Sequence, residues 1–223
     1  MAKVYPLAIA DNQNPMPNPL PQRGLYVITD DTLTGGNRLV PAVAQAIQGG
    51  AVMVQYRSKS PDRQRRHWEA LDVLTLCRPL GIPLLINDDV ELALEIGADG
   101  AHIGGEDMPI AEARALLGAD KVLGVSCYNR AALAAEAANA GADYIAFGRF
   151  FASQSKPNAV QAELGLFADS GALKIPRCAI GGITPDNAPA LLDAGADLLA
   201  VIGGVFAEPD IRAAAQRYSD LFI

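Results

Sequence analysis

Cysteine is scarce in this chain. There are three, Cys77, Cys127 and Cys178, widely spaced and odd in number, and no Cys-x-x-Cys pair exists. That argues against a disulfide framework or a cysteine-based zinc site, and fits isolated thiols used as small core filler in a reducing compartment. No run approaches the roughly 18 apolar residues of a membrane span, and the N-terminus lacks the basic-then-apolar layout of a secretory signal, so a cytoplasmic location is expected. Cations are outnumbered: 18 Lys and Arg against 25 Asp and Glu leave a formal net charge of −7. An acidic surface disfavours nonspecific contact with nucleic acid or anionic membranes, so anions would have to be held by a small local cluster of cations. A Gly-x-Gly-x-x-Gly fingerprint is also missing after the first strand-like run, and the Gly35-Gly36 pair alone does not make a dinucleotide site.

What is present is an ordinary globular composition, 50% hydrophobic and 19% charged over 223 residues. Residues 1–23 stand apart. Pro6, Pro15, Pro17, Pro19 and Pro21 with Asn12, Asn14 and Asn18 predict an irregular arm, because proline removes donors and blocks helix. From residue 24 a rhythm begins, with short β-rich runs at intervals of about 20 to 30 residues. They are Leu25–Asp30, Ala51–Arg57, Pro83–Asp88, Gly100–Gly104, Lys121–Ser126, Tyr144–Gly148, Arg177–Gly182 and Leu198–Gly203. Between them lie stretches with helical spacing, such as Asp62–Leu80 and Ala131–Ala140. A junction recurs almost verbatim at Gly97-Ala98-Asp99, Gly141-Ala142-Asp143 and Gly195-Ala196-Asp197, and reads as a helix stop. Eight strands alternating with helices over residues 24–223 predict a single (β/α)₈ barrel, of the kind first seen in the TIM barrel.

In such a barrel the chemistry sits at the carboxyl ends of the strands. The second run ends Gln55-Tyr56-Arg57-Ser58-Lys59, and alternation would set an amide and two cations on one face, suited to a multi-oxygen anion. A solvated strand end is the plain alternative. The third passes from apolar Leu84-Leu85-Ile86 to Asn87-Asp88-Asp89, and the fourth ends His102-Ile103-Gly104-Gly105-Glu106-Asp107. Asp88 and Asp107 follow adjacent strands, and two facing carboxylates with room for substrate oxygens suit a magnesium–diphosphate pair. Asp89, directly before a helical stretch, reads as a helix cap. His102 reads as a packed, hydrogen-bonded residue, with a ligand or base role left open. Ser126 ends the fifth run. Ser153, Ser155 and Lys156 after the sixth form a candidate oxyanion clamp, or an ordinary polar loop. The seventh and eighth end alike, in Ile180-Gly181-Gly182-Ile183 and Ile202-Gly203-Gly204-Val205, where paired glycines let backbone N–H groups approach a phosphate. Thr184-Pro185 then predicts a helix start.

Taken together, Gln55-x-Arg57-x-Lys59, Ile86-Asn87-Asp88, Glu106-Asp107, Gly124-Val125-Ser126, Ser153-x-Ser155-Lys156 and Ile180-Gly181-Gly182-Ile183 resemble the thiamine phosphate synthase family, also called the thiamine-phosphate pyrophosphorylases. The resemblance covers about Leu25 to the C-terminus and leaves out the arm. It implies a transferase of thiamine biosynthesis that joins hydroxymethylpyrimidine diphosphate to a thiazole phosphate and releases diphosphate. It implies Mg²⁺ on Asp88 and Asp107, and pyrimidine diphosphate on Gln55, Arg57, Lys59, Asn87, Ser126 and Lys156. It places thiazole phosphate on Ser153, Ser155, Gly182 and the backbone around Ile202 and Gly203. Arg57, Lys59 and Lys156 would stabilise the leaving group, so no protein nucleophile is expected. The mouth should then be locally positive inside an acidic shell. Against the family pattern, Ser replaces Thr at 153 and 155, Gly203 replaces a usual Ser, Gly105 a common Gln and Arg149 a frequent Pro. These departures fall mainly on the thiazole-phosphate side.

Three rivals share parts of this reading. A thiazole tautomerase, the family's isomerase sister, has no diphosphate to ionise, so Arg57, Lys59, Asp88, Asp107 and Lys156 argue against it. A non-catalytic thiamine-phosphate-binding barrel, using its arm for interaction, is separated by an activity assay. A Schiff-base aldolase needs a desolvated lysine inside the barrel, whereas Lys59 and Lys156 sit among phosphate-type neighbours.

Overall fold

The computed structural model describes residues 18–105, 107–152 and 160–223. Its eight strands are β1 Gly24–Ile28, β2 Ala51–Tyr56, β3 Leu84–Asn87, β4 Gly100–Ile103, β5 Val122–Tyr128, β6 Tyr144–Phe147, β7 Arg177–Ile180 and β8 Leu198–Val201. They pair in parallel, in sequence order, and β1 closes the ring on β8. Each of the eight β-rich runs is a strand of this (β/α)₈ barrel. Seven end one or two residues short of the expected limit. The exception is β5, which runs on to Tyr128 past a register shift after Ser126.

The helices are α1 Asp31–Thr34, α2 Leu39–Gln48, α3 Arg63–Cys77, α4 Val90–Ile96, α5 Ile110–Leu117, α6 Ala131–Asn139, α7 Gly165–Asp169, α8 Ala188–Asp193, α9 Gly203–Phe206 and α10 Ile211–Ser219. Among the described residues, no helix is long and apolar enough to cross a membrane. Outward side chains such as Leu25, Val27, Leu84, Ile86, Leu199 and Val201 pack with the helices in one large core. Inward ones form a second, smaller core of Tyr26, Ile28, Met53, Leu85, Val122, Tyr144, Ala146, Cys178, Leu198 and Ala200. The two sets alternate along the strands, as a closed sheet requires, except in β2, where Val52 and Met53 both pack inward beside a register shift. All three cysteines are buried and free.

Helix stops fall where the glycines predict. Gly97, Gly141 and Gly195 have φ of 72°, 93° and 107°, a region costly for any residue with a Cβ. The aspartate two residues on has a further duty that its spacing does not reveal. Asp99, Asp143 and Asp197 each accept a hydrogen bond from the amide at or near the start of the preceding strand, at Leu84 (2.8 Å), Leu123 (2.7 Å) and Arg177 (2.9 Å). In return their own amides donate to the carbonyls of Leu84, Leu123 and Arg177. The repeat therefore stitches the amino-terminal rim of the barrel. Asp99 is buried and also accepts from the Asn18 amide at 2.7 Å. Asp99→Ala would leave both donors unmatched, so we expect a loss on the order of 3 kcal/mol in urea unfolding with the mouth untouched.

The described end of the arm covers this same rim. Asn18 holds Asp99 and the Ile82 carbonyl, and Leu20 packs on the interior core. At the opposite rim one expectation needs correcting. Thr184-Pro185 does not begin a helix: the helix starts at Ala188, and Thr184 opens the preceding turn, its hydroxyl accepting from the Asn187 amide at 3.3 Å.

Candidate active site

The inward residues at the carboxyl ends divide the mouth. Gln55 of β2, Asn87 of β3, His102 of β4 and Ser126 of β5 make one half polar, while Ile28, Ala146, Ile180 and Ala200 make the other half largely apolar. Gln55 is buried and its Nε2 donates to Tyr26 Oη. The expected single face for Gln55, Arg57 and Lys59 does not form, because β2 stops at Tyr56. Arg57 and Lys59 instead lie on the loop above Gln55.

That loop is anchored on its neighbours. The Arg57 amide donates to Thr29 Oγ1 at 2.8 Å, and the Lys59 amide to Asp31 Oδ2 at 2.6 Å. Both cations meet carboxylates, Arg57 Nη1 lying 3.6 Å from Asp30 Oδ2 and Lys59 Nζ 2.8 Å from Asp88 Oδ2. Among the described residues each of these two cations is balanced by an acid, while Lys156, the third cation expected at the mouth, lies outside them. Asp89 serves as the α4 cap, as expected, accepting from the Leu92 amide at 2.9 Å.

Asp88 and Asp107 do come together. Asp88 has φ of 64°, and its amide donates to the His102 carbonyl at 2.8 Å, which seats it at the end of the β3–β4 ladder. Asp107 Oδ2 accepts from the Gly104 amide at 2.7 Å. Burial works to raise the Asp88 pKa, but Lys59 and the hydrogen bonds from its neighbours hold it below the usual carboxylate range. Burial raises that of Asp107, the Gly104 amide opposes, and the Asp88 charge adds to the rise. The two acids interact directly and their titrations are pushed apart, Asp88 down and Asp107 up. A cleft of about 450 Å³ opens here, lined by Lys59, Arg66, Asn87, Asp88, Asp107 and Met108 among others.

A divalent cation fits this donor set. Among the described residues no three His, Cys, Asp or Glu side chains gather to hold a metal. Mg²⁺ does not need such a cage, since it commonly takes one or two carboxylates and completes its shell with water and substrate phosphate. Two carboxylates that repel each other beside an open cleft supply that arrangement.

Across the mouth, the chain after β6 runs along the β7 exit. The Phe150 and Phe151 amides donate to the Ile180 and Gly181 carbonyls at 3.2 and 3.0 Å. This leaves no room for side chains at the glycine pair: a Cβ on Gly181 would sit 2.3 Å from that of Arg149, and one on Gly182 2.3 Å from the Ala152 carbonyl. The Gly182 carbonyl is held by Asn187 Nδ2 at 3.0 Å, and Tyr218 Oη donates to the Ile183 carbonyl at 2.9 Å. Gly203 and Gly204 open α9, where the first amides of a helix have no intrahelical acceptor. Ser153, Ser155, Lys156 and Glu106 lie outside the described residues.

The fold and the mouth define a (β/α)₈-barrel enzyme with paired carboxylates and cations on one side of its strand ends and braced glycine turns on the other. The family model for thiamine monophosphate synthase matches residues 25–205, and the chain belongs to that family. It is 48% identical over 201 residues to the thiamine-phosphate synthase of Thioalkalivibrio sulfidiphilus, covering 90% of this chain and 95% of that one. The Nitrosococcus oceani thiamine-phosphate synthase is 50% identical over 201 residues, covering 90% and 93%. Among solved structures, thiamine phosphate pyrophosphorylase from Pyrococcus furiosus superposes with a TM-score of 0.80 at 34% identity, over 90% of this chain and 95% of that one. A 3-hexulose-6-phosphate synthase, TM-score 0.70 at 18% identity, shares the fold.

Proposed function

We propose that the mouth joins a pyrimidine diphosphate to a thiazole phosphate, with Mg²⁺ on Asp88 and Asp107. The protein is a thiamine-phosphate synthase, a transferase. In its reaction the C–O bond between the pyrimidine methylene and the diphosphate breaks, and the diphosphate departs with the bonding pair. The thiazole nitrogen then forms the new C–N bond to that methylene. The reading is carried by one observation: Asp88 and Asp107 converge with Lys59 on a cleft at the strand ends.

Such a reaction needs charge placed where the leaving group develops it, more than a nucleophile. When bound, Mg²⁺ supplies Lewis-acid stabilisation of diphosphate oxygens. Arg57 and Lys59 would exchange their carboxylate partners for phosphate oxygens, with Lys156 joining them. Asn87, Gln55 and Ser126, projecting from the polar half of the barrel, would orient the pyrimidine. The Gly182 and Gly203 backbones, with Ser153 and Ser155, would hold the thiazole phosphate. A tautomerase would have no use for the cation–carboxylate cluster, since its substrate ionises no diphosphate.

Purified protein given both substrates and Mg²⁺ is expected to release diphosphate and form thiamine phosphate; no product above a protein-free blank would defeat the reading. Position 203 offers a graded test. Among the described residues a Cβ at Gly203 meets nothing within 4 Å, so serine fits there without rearranging them. Gly203→Ser should lower the KM for thiazole phosphate about fivefold, the worth of one added hydrogen bond of about 1 kcal/mol. The KM for the pyrimidine substrate should not change.

A further inference from the structure

Beneath the mouth, five side chains from five strands form an unbroken hydrogen-bond chain. Gln55 Nε2 donates to Tyr26 Oη. Tyr26 Oη lies 3.0 Å from Tyr144 Oη, which lies 2.7 Å from His102 Nδ1. His102 Nε2 lies 2.8 Å from Ser126 Oγ. The middle three are buried among the interior core and take no part in the roles assigned above. Burial holds both phenols far above their usual pKa, so each keeps its proton.

A phenol or serine hydroxyl has one proton to give, and a neutral imidazole has one N–H and one lone pair. Each link therefore sets the next. With the Gln55 amide donating, Tyr26 donates to Tyr144, Tyr144 to His102 Nδ1, and His102 Nε2 to Ser126. Ser126 then has its own proton to offer at the mouth, and Gln55 has its carbonyl oxygen. Reversing the direction would invert both ends together; inverting one end alone would leave either a link with no proton or a buried phenol with its proton unused.

We propose that Tyr26, Tyr144 and His102 are positioning residues that make Gln55 an acceptor and Ser126 a donor at opposite sides of the pocket. The site is thereby matched to a heterocycle that presents an N–H to Gln55 and a ring-nitrogen lone pair to Ser126. An aminopyrimidine carries that pattern, and its oxo counterpart carries the reverse, a carbonyl beside a ring N–H. This deepens the assignment of the pyrimidine side and rests on it for the identity of the ligand. The direction of the chain does not depend on any ligand.

Two measurements test it. In the intact protein, ¹⁵N long-range NMR should find His102 as a single neutral tautomer with the proton on Nε2. The only other histidine is His67, so a His67→Gln variant assigns the signals. A proton on Nδ1, or averaging between the two nitrogens, would overturn the proposal. Calorimetric titration with 4-amino-2-methylpyrimidine methyl diphosphate and its 4-oxo counterpart should show the amino form preferred roughly a hundredfold. Tyr144→Phe cuts the chain at its centre and should shrink that preference to below tenfold. Cys178→Ala, a change in the same interior core outside the chain, should keep it. Full preference in Tyr144→Phe, or equal loss in Cys178→Ala, would refute the role. Should Tyr144→Phe not fold, Tyr26→Phe cuts the neighbouring link and is judged by the same criterion. Absence of synthase product would count against the function above and leave the tautomer result standing.

Discussion

Asp88→Asn will leave the barrel folded and lower synthase turnover on the order of a hundred- to a thousandfold, the usual scale for losing one preorganised electrostatic group. Asparagine is the informative replacement because Asp88 sits at φ of 64°. Asparagine tolerates that left-handed conformation, whereas alanine would add backbone strain on the order of 1 kcal/mol. What changes is charge. In the native site Asp88 is held ionised by Lys59 against its own burial, and Asp107 is raised by burial and by Asp88. A divalent cation needs both carboxylates deprotonated, so its affinity should fall as pH drops through the raised Asp107 pKa. With Asp88 neutral, that pKa falls back toward the ordinary carboxylate range. The acid limb of turnover should therefore move to lower pH in Asp88→Asn, while the Mg²⁺ concentration needed for half-maximal rate rises. Titrating Mg²⁺ at several pH values reads both effects. Wild-type turnover at limiting Mg²⁺ would remove Asp88 from the metal site.

The alternation of β-rich and helical runs is visible along the chain because every strand must be apolar outward and every helix must stop before the next strand. The strand ends are visible too, since polar residues interrupt apolar runs at Asn87-Asp88 and Gln55-Tyr56-Arg57. Contacts between distant segments are not. Nothing local in Arg57 says that it faces Asp30, or in Lys59 that it faces Asp88. The cations can be read along the chain, but their acidic partners stand on neighbouring strand ends. The aspartate of the Gly-Ala-Asp repeat bonds an amide 15 to 20 residues earlier, a register that spacing alone does not encode. His102 is legible as a packed histidine, but its partners Tyr144 and Ser126 come from two other strands. Only the pairing of β4, β5 and β6 brings them together.

Gly124 shows how far one such contact reaches, and Gly124→Ala is the second change expected to be severe. A Cβ there would stand 2.2 Å from Tyr144 Cζ and 2.3 Å from its hydroxyl oxygen. Tyr144 is fully buried, lying against Tyr26 on one side and His102 on the other, so its ring cannot move aside freely. Overpacking of this kind typically costs about 3 kcal/mol at its upper range, or roughly 6–12 °C in Tm for a chain of this size. A backbone shift in β5 that relieved the clash would also carry Ser126, two residues on and on the same inward face. Turnover should therefore fall beyond what instability explains at temperatures where the variant is folded. The double variant Gly124→Ala/Tyr144→Ala separates the two effects, since the second change empties the space the first overfills. Its loss of stability should be at least about 1 kcal/mol less than the sum of the single losses. Its activity should stay low, because the hydroxyl that links Tyr26 to His102 is gone. Additive stabilities would show that Gly124 is not there to seat Tyr144, and recovered turnover would show that the ring matters only as filler.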